Sequence, residues 1–365
     1  MQRYPLVDVL RAFAALLVLV YHVIESGQWV AFPHEGLLRL FRMGWIGVDL
    51  FFVVSGFVIG LSAMQSAVDN PHWRSEFAER RLRRIVPLYL LTCVVYLFLV
   101  DPTPLTHGLK NAVIDIGAHL LFIHNLFPRT YSSINAPSWS VGLEMQFYLL
   151  VMLSCGWLSR TSGWKILLVG IGIAVAWRFG TTLALPPGES SPEKQVMKAM
   201  QLPGLLDAFG AGLFLAKLSM AGRLKPSWSR SALAALAALL LLGLAWHFFW
   251  PNSAYWNNFG MIVFWRVLVA SGTAALLAAL IMCPSGGGWV VWPLRYLGII
   301  SYGIYLWHVP IMWTLIQTTP WREGQLLTGV LGGTLALAAL SWHGFEKMWL
   351  KMPPKNVPRQ AARSL

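Results

Sequence analysis

Arg11 and His22 stand eleven positions apart in the apolar run VLRAFAALLVLVYHV, from Val9 to Val23. At 100° per residue that separation returns to within about 20° of its start, so on a helix both side chains share one face. They would lie about 16 Å apart along the axis. Two ionisable groups on one stripe of a membrane-type helix are costly, which marks a functional site. The plainer alternative has Arg11 snorkelling to the interface and His22 sitting among headgroups. Three further apolar runs carry Asp49 (GWIGVDLFFVVSGF), Glu144 (PSWSVGLEMQFYLL) and His308 (ISYGIYLWHVPI). With His22 these make two imidazoles and two carboxylates at one expected depth, a set suited to general acid–base chemistry. Each has a structural alternative. Asp49 could cap its own helix start, Glu144 could complement a helix dipole, and His308 could satisfy a carbonyl freed by Pro310. Arg266 also lies inside an apolar run, and both a water-filled cavity and pairing with Glu144 are open to it. Arg80, Arg81, Arg83 and Arg84 crowd the segment FAERRLRRIVPLY. Such a cluster can set topology against anionic lipid, or dock a phosphorylated ligand through bidentate guanidinium contacts.

The elements that must carry these residues are membrane spans. The chain has 365 residues, is 56% hydrophobic and only 12% charged, well outside the soluble norm. The expected fold is therefore all-α, a polytopic transmembrane bundle with about ten spans near 6–25, 43–64, 85–101, 139–158, 164–184, 202–220, 231–250, 259–282, 296–317 and 325–350. Residues 108–127 are apolar but broken by Asp115, His119 and His124, and read as an interfacial or re-entrant helix. The membrane domain is expected over 1–352 and a short basic cytoplasmic tail over 353–365. Lys and Arg concentrate in alternate connections, above all at Arg74 to Arg84, Lys217 to Arg230 and Lys347 onward. That bias predicts both termini on the cytoplasmic side. It also explains the net charge of +13 without nucleic acid as a partner. The three cysteines, Cys93, Cys155 and Cys283, show no metal-ligand spacing and read as small buried hydrophobes. The N-terminal run is read as an uncleaved span, because Arg11 interrupts it and no small-residue cleavage site follows.

Four motifs in order point to one family. They are Leu6-Val-Asp8-x-x-Arg11 running on to His22; Gly44-x-x-Gly47-Val-Asp-Leu-Phe-Phe-x-x-Ser55-Gly56-Phe; Pro137-Ser-Trp-Ser-x-x-x-Glu144-x-x-Phe147-Tyr148; and Ser301-Tyr302-Gly-x-Tyr305-Leu-Trp-His308-x-Pro310. With the basic F-x-x-R-R-x-x-R-I-x-P block between them, the chain from Pro5 to about Glu346 resembles the acyltransferase-3 family of integral-membrane O-acyltransferases. The resemblance implies acyl-coenzyme A, usually acetyl-CoA, as donor, with no metal, and a sugar hydroxyl of a polysaccharide or lipid-linked glycan as acceptor, at the bacterial inner membrane. It implies that Arg11 and His22 are the family's essential arginine–histidine pair. Arg81 and Arg84, with Arg80, match its basic motif, and Glu144 matches its W-S-x-x-x-E glutamate. The expected mechanism has coenzyme A phosphates at the arginines and the arm passing Ser55 and Tyr302. His22 is then the general base and Glu144 orients it, with Asp49, His308 and Arg266 in support. Many members carry R-x-D ahead of the sixth span, whereas Leu205-Leu206-Asp207 keeps only the aspartate. Some relatives continue into a soluble SGNH-type hydrolase domain, and none is expected here. Two other readings remain at this level: a secondary transporter or flippase-like carrier with an intramembrane proton relay, and an acyltransferase acting on a small-molecule or antibiotic acceptor.

Overall fold

A computed structural model describes residues 4–351 except 69, 107, 187–190, 253–254, 286–287 and 290. The expected tail, 353–365, lies outside the described residues. Thirteen helices matter for the site: α1 Pro5–Ser26, α2 Gly47–Ser66, α3 Trp73–Val95, α4 Leu109–Leu120, α5 Trp139–Arg160, α6 Gly163–Ala184, α7 Pro192–Ala199, α8 Leu206–Met220, α9 Trp228–Phe249, α10 Arg266–Met282, α11 Trp292–Ile299, α12 Ser301–Thr318 and α13 Glu323–Ser341. Among the described residues nine stretches are long and apolar enough to cross a membrane, or ten if the bent pair α11–α12 counts as one span. The all-helical, ten-span expectation therefore holds. α4 spans only 12 residues, about 18 Å at the helical rise, too short to cross the hydrocarbon.

Burial ranks the spans. In α2 with its lead-in, 83% of the apolar window is buried, against 17% in α9. A helix that is apolar all round is either core or lipid-facing. Here α2 is core, while α9 turns Leu233, Leu236, Leu239, Leu240 and Leu244 outward. α1 and α2 meet through glycine: a Cβ on Gly44 or Gly47 would collide with the α1 backbone carbonyls of Leu17 and Ala14. The same device joins α2 to α8 at Gly56 and Gly212, and α11 to α1 at Gly298, which lies against the backbone of Asp8. These small-residue contacts replace the hydrophobic driving force that lipid cannot supply.

Two backbone defects aim the site. Pro310 has no N–H to give to the carbonyl four residues earlier. That carbonyl, on Leu306, takes Asn135 Nδ2 at 3.2 Å instead, tying the 128–135 loop to α12. The α11–α12 span bends by 68°, and its exposed carbonyl at Ile299 is taken by Arg84 Nη2 at 3.2 Å. Arg84 also pairs with buried Glu346 at 3.5 Å, so it braces α3 against the bend.

Candidate active site: two cavities in series

α1 carries Arg11 and His22 into different cavities. One cavity, of about 850 Å³ of empty volume, is lined by Arg11, Ser55, Arg81, Arg84, Glu144 and Tyr302 among others. A second, of about 890 Å³, is lined by His22, Trp45, Tyr131, Trp139, Trp256 and Arg266 among others. Val48 and Tyr305 border both. Tyr305 is fixed there by donating to Pro137 O at 2.9 Å, with Ser140 Oγ at 2.8 Å. The two cavities are thus neighbours that share Val48 and Tyr305 in their walls, with Arg11 and His22 of α1 on one each.

In the first cavity the charges are unequal. Arg11 pairs with Asp8 at 4.0 Å, with Arg84 and Glu144 also within electrostatic reach. Arg81 packs its guanidinium over Phe77 and Tyr148 at 5.3 and 5.9 Å, and its buried Nε has no hydrogen-bond partner. Glu144 Oε1 accepts from Ser55 Oγ at 2.7 Å and from Tyr148 Oη at 2.5 Å. Three guanidinium groups and one carboxylate line the chamber; Arg11 and Arg84 are paired with Asp8 and Glu346 behind that wall, and Arg81 keeps an unfilled donor. That donor set suits phosphate and carbonyl oxygens of a ligand. Tyr302, also on the wall, is tethered to Ile85 O at 2.8 Å. Arg80 is not part of this wall; it turns to Glu76 at 3.4 Å and Ser66 at 3.3 Å.

Beside the second cavity, His308 is fully buried and its Nδ1 lies 2.6 Å from Tyr305 O. A carbonyl can only accept, so Nδ1 carries the hydrogen and Nε2 of neutral His308 keeps its lone pair. His22 Nδ1 lies 3.1 Å from that lone pair and 3.0 Å from Val18 O. Both are acceptors, so His22 also carries its proton on Nδ1. Its Nε2 is left unprotonated, and that is the tautomer a general base requires.

Sequence reasoning placed Glu144 level with His22, whereas the structure places it in the arginine chamber, bonded to Ser55 and Tyr148. Its span enters beside α2, and the Ser55 and Tyr148 hydroxyls hold the carboxylate there. The imidazole's neighbour is instead His308, which the α12 bend and Pro310 bring against α1. Asp49 and Arg266 also find each other, in a buried ion pair bridging α2 and α10, so pairing of Arg266 with Glu144 is not what the structure shows. Arg266 stacks over Trp45 at 4.8 Å.

The lone aspartate of the incomplete R-x-D has an arginine after all. Arg178, fully buried on α6, pairs with Asp207 at 2.7 Å and donates to Gly204 O at 3.0 Å and Val263 O at 3.1 Å. The sequence held the signal: an intramembrane arginine without a role and an aspartate without its usual partner. The stacked pair His119 and His124, with ring centroids 4.1 Å apart, lies outside the spans and outside both cavities. Burial pushes the His119 imidazole down and His124 to about 3. Among the described residues no three His, Cys, Asp or Glu side chains converge as metal ligands.

Comparison with known proteins agrees with the geometry. Residues 4–343 match the acyltransferase-3 family model, described as an acyltransferase domain. The chain belongs to that family: it is a membrane-embedded acyltransferase. It is 30% identical, over 94% of its length and 54% of the relative's, to a Bacillus subtilis protein provisionally named peptidoglycan O-acetyltransferase YrhL. It is 29% identical to the peptidoglycan O-acetyltransferase OatA of Listeria monocytogenes, over 94% of the chain and 55% of OatA. A provisionally named membrane-bound transacylase, BcsY of Komagataeibacter xylinus, is 27% identical over 94% of the chain and 82% of the relative. The chain thus spans about half the length of the first two relatives. No solved structure matches significantly.

Proposed function

We propose that this protein transfers an acyl group, acetyl in the simplest case, from acyl-coenzyme A to a hydroxyl of a polysaccharide or lipid-linked glycan. The observation that carries this is the pair of cavities meeting at Tyr305, arginine-lined on one side and imidazole-lined on the other. The names of the peptidoglycan O-acetylating relatives support a glycan acceptor. The basic connections flank the arginine chamber, which supports donor entry from the cytoplasm and residence in the bacterial inner membrane.

Arg81 and Arg11 hold the donor's anionic end, assisted by Arg84 where its bracing bonds allow. Glu144, held by Ser55 and Tyr148, is the counter-charge of the chamber and sets how much anion it attracts. The roughly 16 Å between Arg11 and His22 on the helix is a distance an extended pantetheine arm spans, which delivers the thioester to the Tyr305 junction. The acceptor hydroxyl oxygen then attacks the thioester carbonyl carbon while its proton passes to His22 Nε2. The C–S bond breaks, and the departing thiolate recovers that proton from the imidazolium. The products are an ester and the free thiol. His308 Nε2 and Val18 O steady the transient imidazolium, the role sequence reasoning gave to Glu144.

A carrier or proton relay has less support, because the arginines gather on one chamber and the imidazole on the other. Incubating the purified protein with acetyl-labelled coenzyme A and glycan tests the reading. Label moves into the glycan with the wild-type chain and not with His22→Ala or Arg11→Ala that still insert and accumulate. Wild-type-like turnover by either variant overturns it.

A further inference from the structure

The cavity on the His22 side has a composition its fold does not require. Tyr131 and Trp139 stack at 5.8 Å with 21° between their planes, forming one wall. Trp45 and Trp256 stand with Arg266 on another. Two buried polar atoms of this lining have no partner: Tyr131 Oη, on a residue only 8% exposed, and Arg266 Nε, on a residue 2% exposed. Leaving a buried hydroxyl or N–H unsatisfied costs about 1–3 kcal/mol; such atoms occur elsewhere in the core too, and these two stand out because their residues line a cavity with room for a polar ligand. Charge narrows that ligand. Arg266 is neutralised by Asp49, and no carboxylate stands in the lining to bind a cationic ligand. Among the described residues Arg266 is the one Arg, Lys, Asp or Glu lining this cavity, whereas three arginines and a glutamate line the other.

We infer that this cavity is the acceptor subsite and that it holds one uncharged hexopyranose ring of a glycan. The apolar ring face lies on the aromatic walls, and ring hydroxyls complete Tyr131 Oη and Arg266 Nε. The inference rests on the acyl-transfer reading for the word acceptor, but not for the binding itself. Tyr131 is then a specificity-determining residue. It sits in a loop that Asn135 anchors to α12 beside His308, so a ring held there presents a hydroxyl on the His22 side.

The test is a tryptophan-fluorescence titration of the full chain in nanodiscs with three probes: cellotriose, chitotriose and the acidic trimer of galacturonic acid. Saturable binding is expected for a neutral trimer, at least tenfold tighter than for the acidic one. Tyr131→Phe, which removes one oxygen, is expected to weaken that binding about five- to tenfold, and Trp256→Leu to weaken it further. Both variants should keep wild-type affinity for acetyl-CoA and wild-type thermal unfolding. No saturable binding of either neutral trimer, tighter binding of the acidic one, or an unchanged Kd in Tyr131→Phe overturns the inference. Sugar binding without label transfer would leave this subsite standing and remove the proposed transfer from acetyl-CoA to glycan. Transfer to glycan with an unaltered acceptor KM in Tyr131→Phe would do the reverse.

Discussion

A neutral imidazole that points a lone pair at a substrate must hold its proton on the other nitrogen, and His22 does so because two acceptors converge on Nδ1. One is a carbonyl of its own helix; the other is His308. Removing His308 frees the tautomer and the ring orientation together. His308→Leu should therefore lower kcat by about 10²-fold, at the low end of what general-base positioning contributes, while leaving the KM for donor and acceptor near wild type. Glu144→Gln should act differently, since its carboxylate faces Arg11 and Arg81 across the arginine chamber. It is expected to change donor KM more than kcat, and a kcat loss as large as that of His308→Leu would return Glu144 to the imidazole. Steady-state kinetics with both substrates varied separates these cases. Arg178→Ala strands the carboxylate of Asp207 in the core, a loss worth about 3–5 kcal/mol for a broken buried pair. Its signature is a lower unfolding temperature measured on detergent-solubilised protein.

At the scale of elements, close helix contacts and loop anchors decide whether these side chains meet. Gly298 abuts the Asp8 backbone and Gly47 abuts that of Ala14, so Gly47→Leu should separate α1 from α2 and reduce monodisperse protein in size-exclusion chromatography. The α4 connection is held by stacked neutral imidazoles, His124 donating to Ser138 O at 3.0 Å. With His124 held near 3 against 6.5 in the unfolded chain, the unfolded state binds the extra proton between those values. Stability is then complete above about pH 6.5 and falls as pH drops below it. His124→Asn should flatten that slope in thermal unfolding measured from pH 7.5 to 5. Sequence periodicity predicted the spans and the close-packing glycines well, because bilayer thickness and small-residue spacing leave local traces. It could not pair Asp49 with Arg266, Asp207 with Arg178 or His22 with His308, because those partners sit on helices far apart in the chain. Depth counting put Glu144 level with His22, since counting turns ignores the neighbour hydroxyls that capture a carboxylate.

For the whole molecule, transfer from cytoplasmic coenzyme A requires two chambers opening toward opposite sides, with the arginines facing the cytoplasm. After Cys283→Ser, a cysteine placed at Ser162 should react with a membrane-impermeant maleimide only in inverted vesicles. One placed at Ser191 should react in intact cells. The reversed pattern would put the donor chamber on the wrong side for cytoplasmic coenzyme A. The four motifs in the sequence pointed to the family, and the architecture supplies what they lacked: the division of α1 between two cavities and the aromatic lining around Tyr131. The central claim is that His22 performs the transfer while a separate chamber holds the donor. The direct measurement is paired on one preparation of His22→Ala: acetyl-CoA affinity by equilibrium binding, and transfer of the acetyl label to glycan. The expected result is an affinity within about threefold of wild type, well under the tenfold that 1.4 kcal/mol represents, together with loss of transfer. Label transfer at the wild-type rate would contradict it.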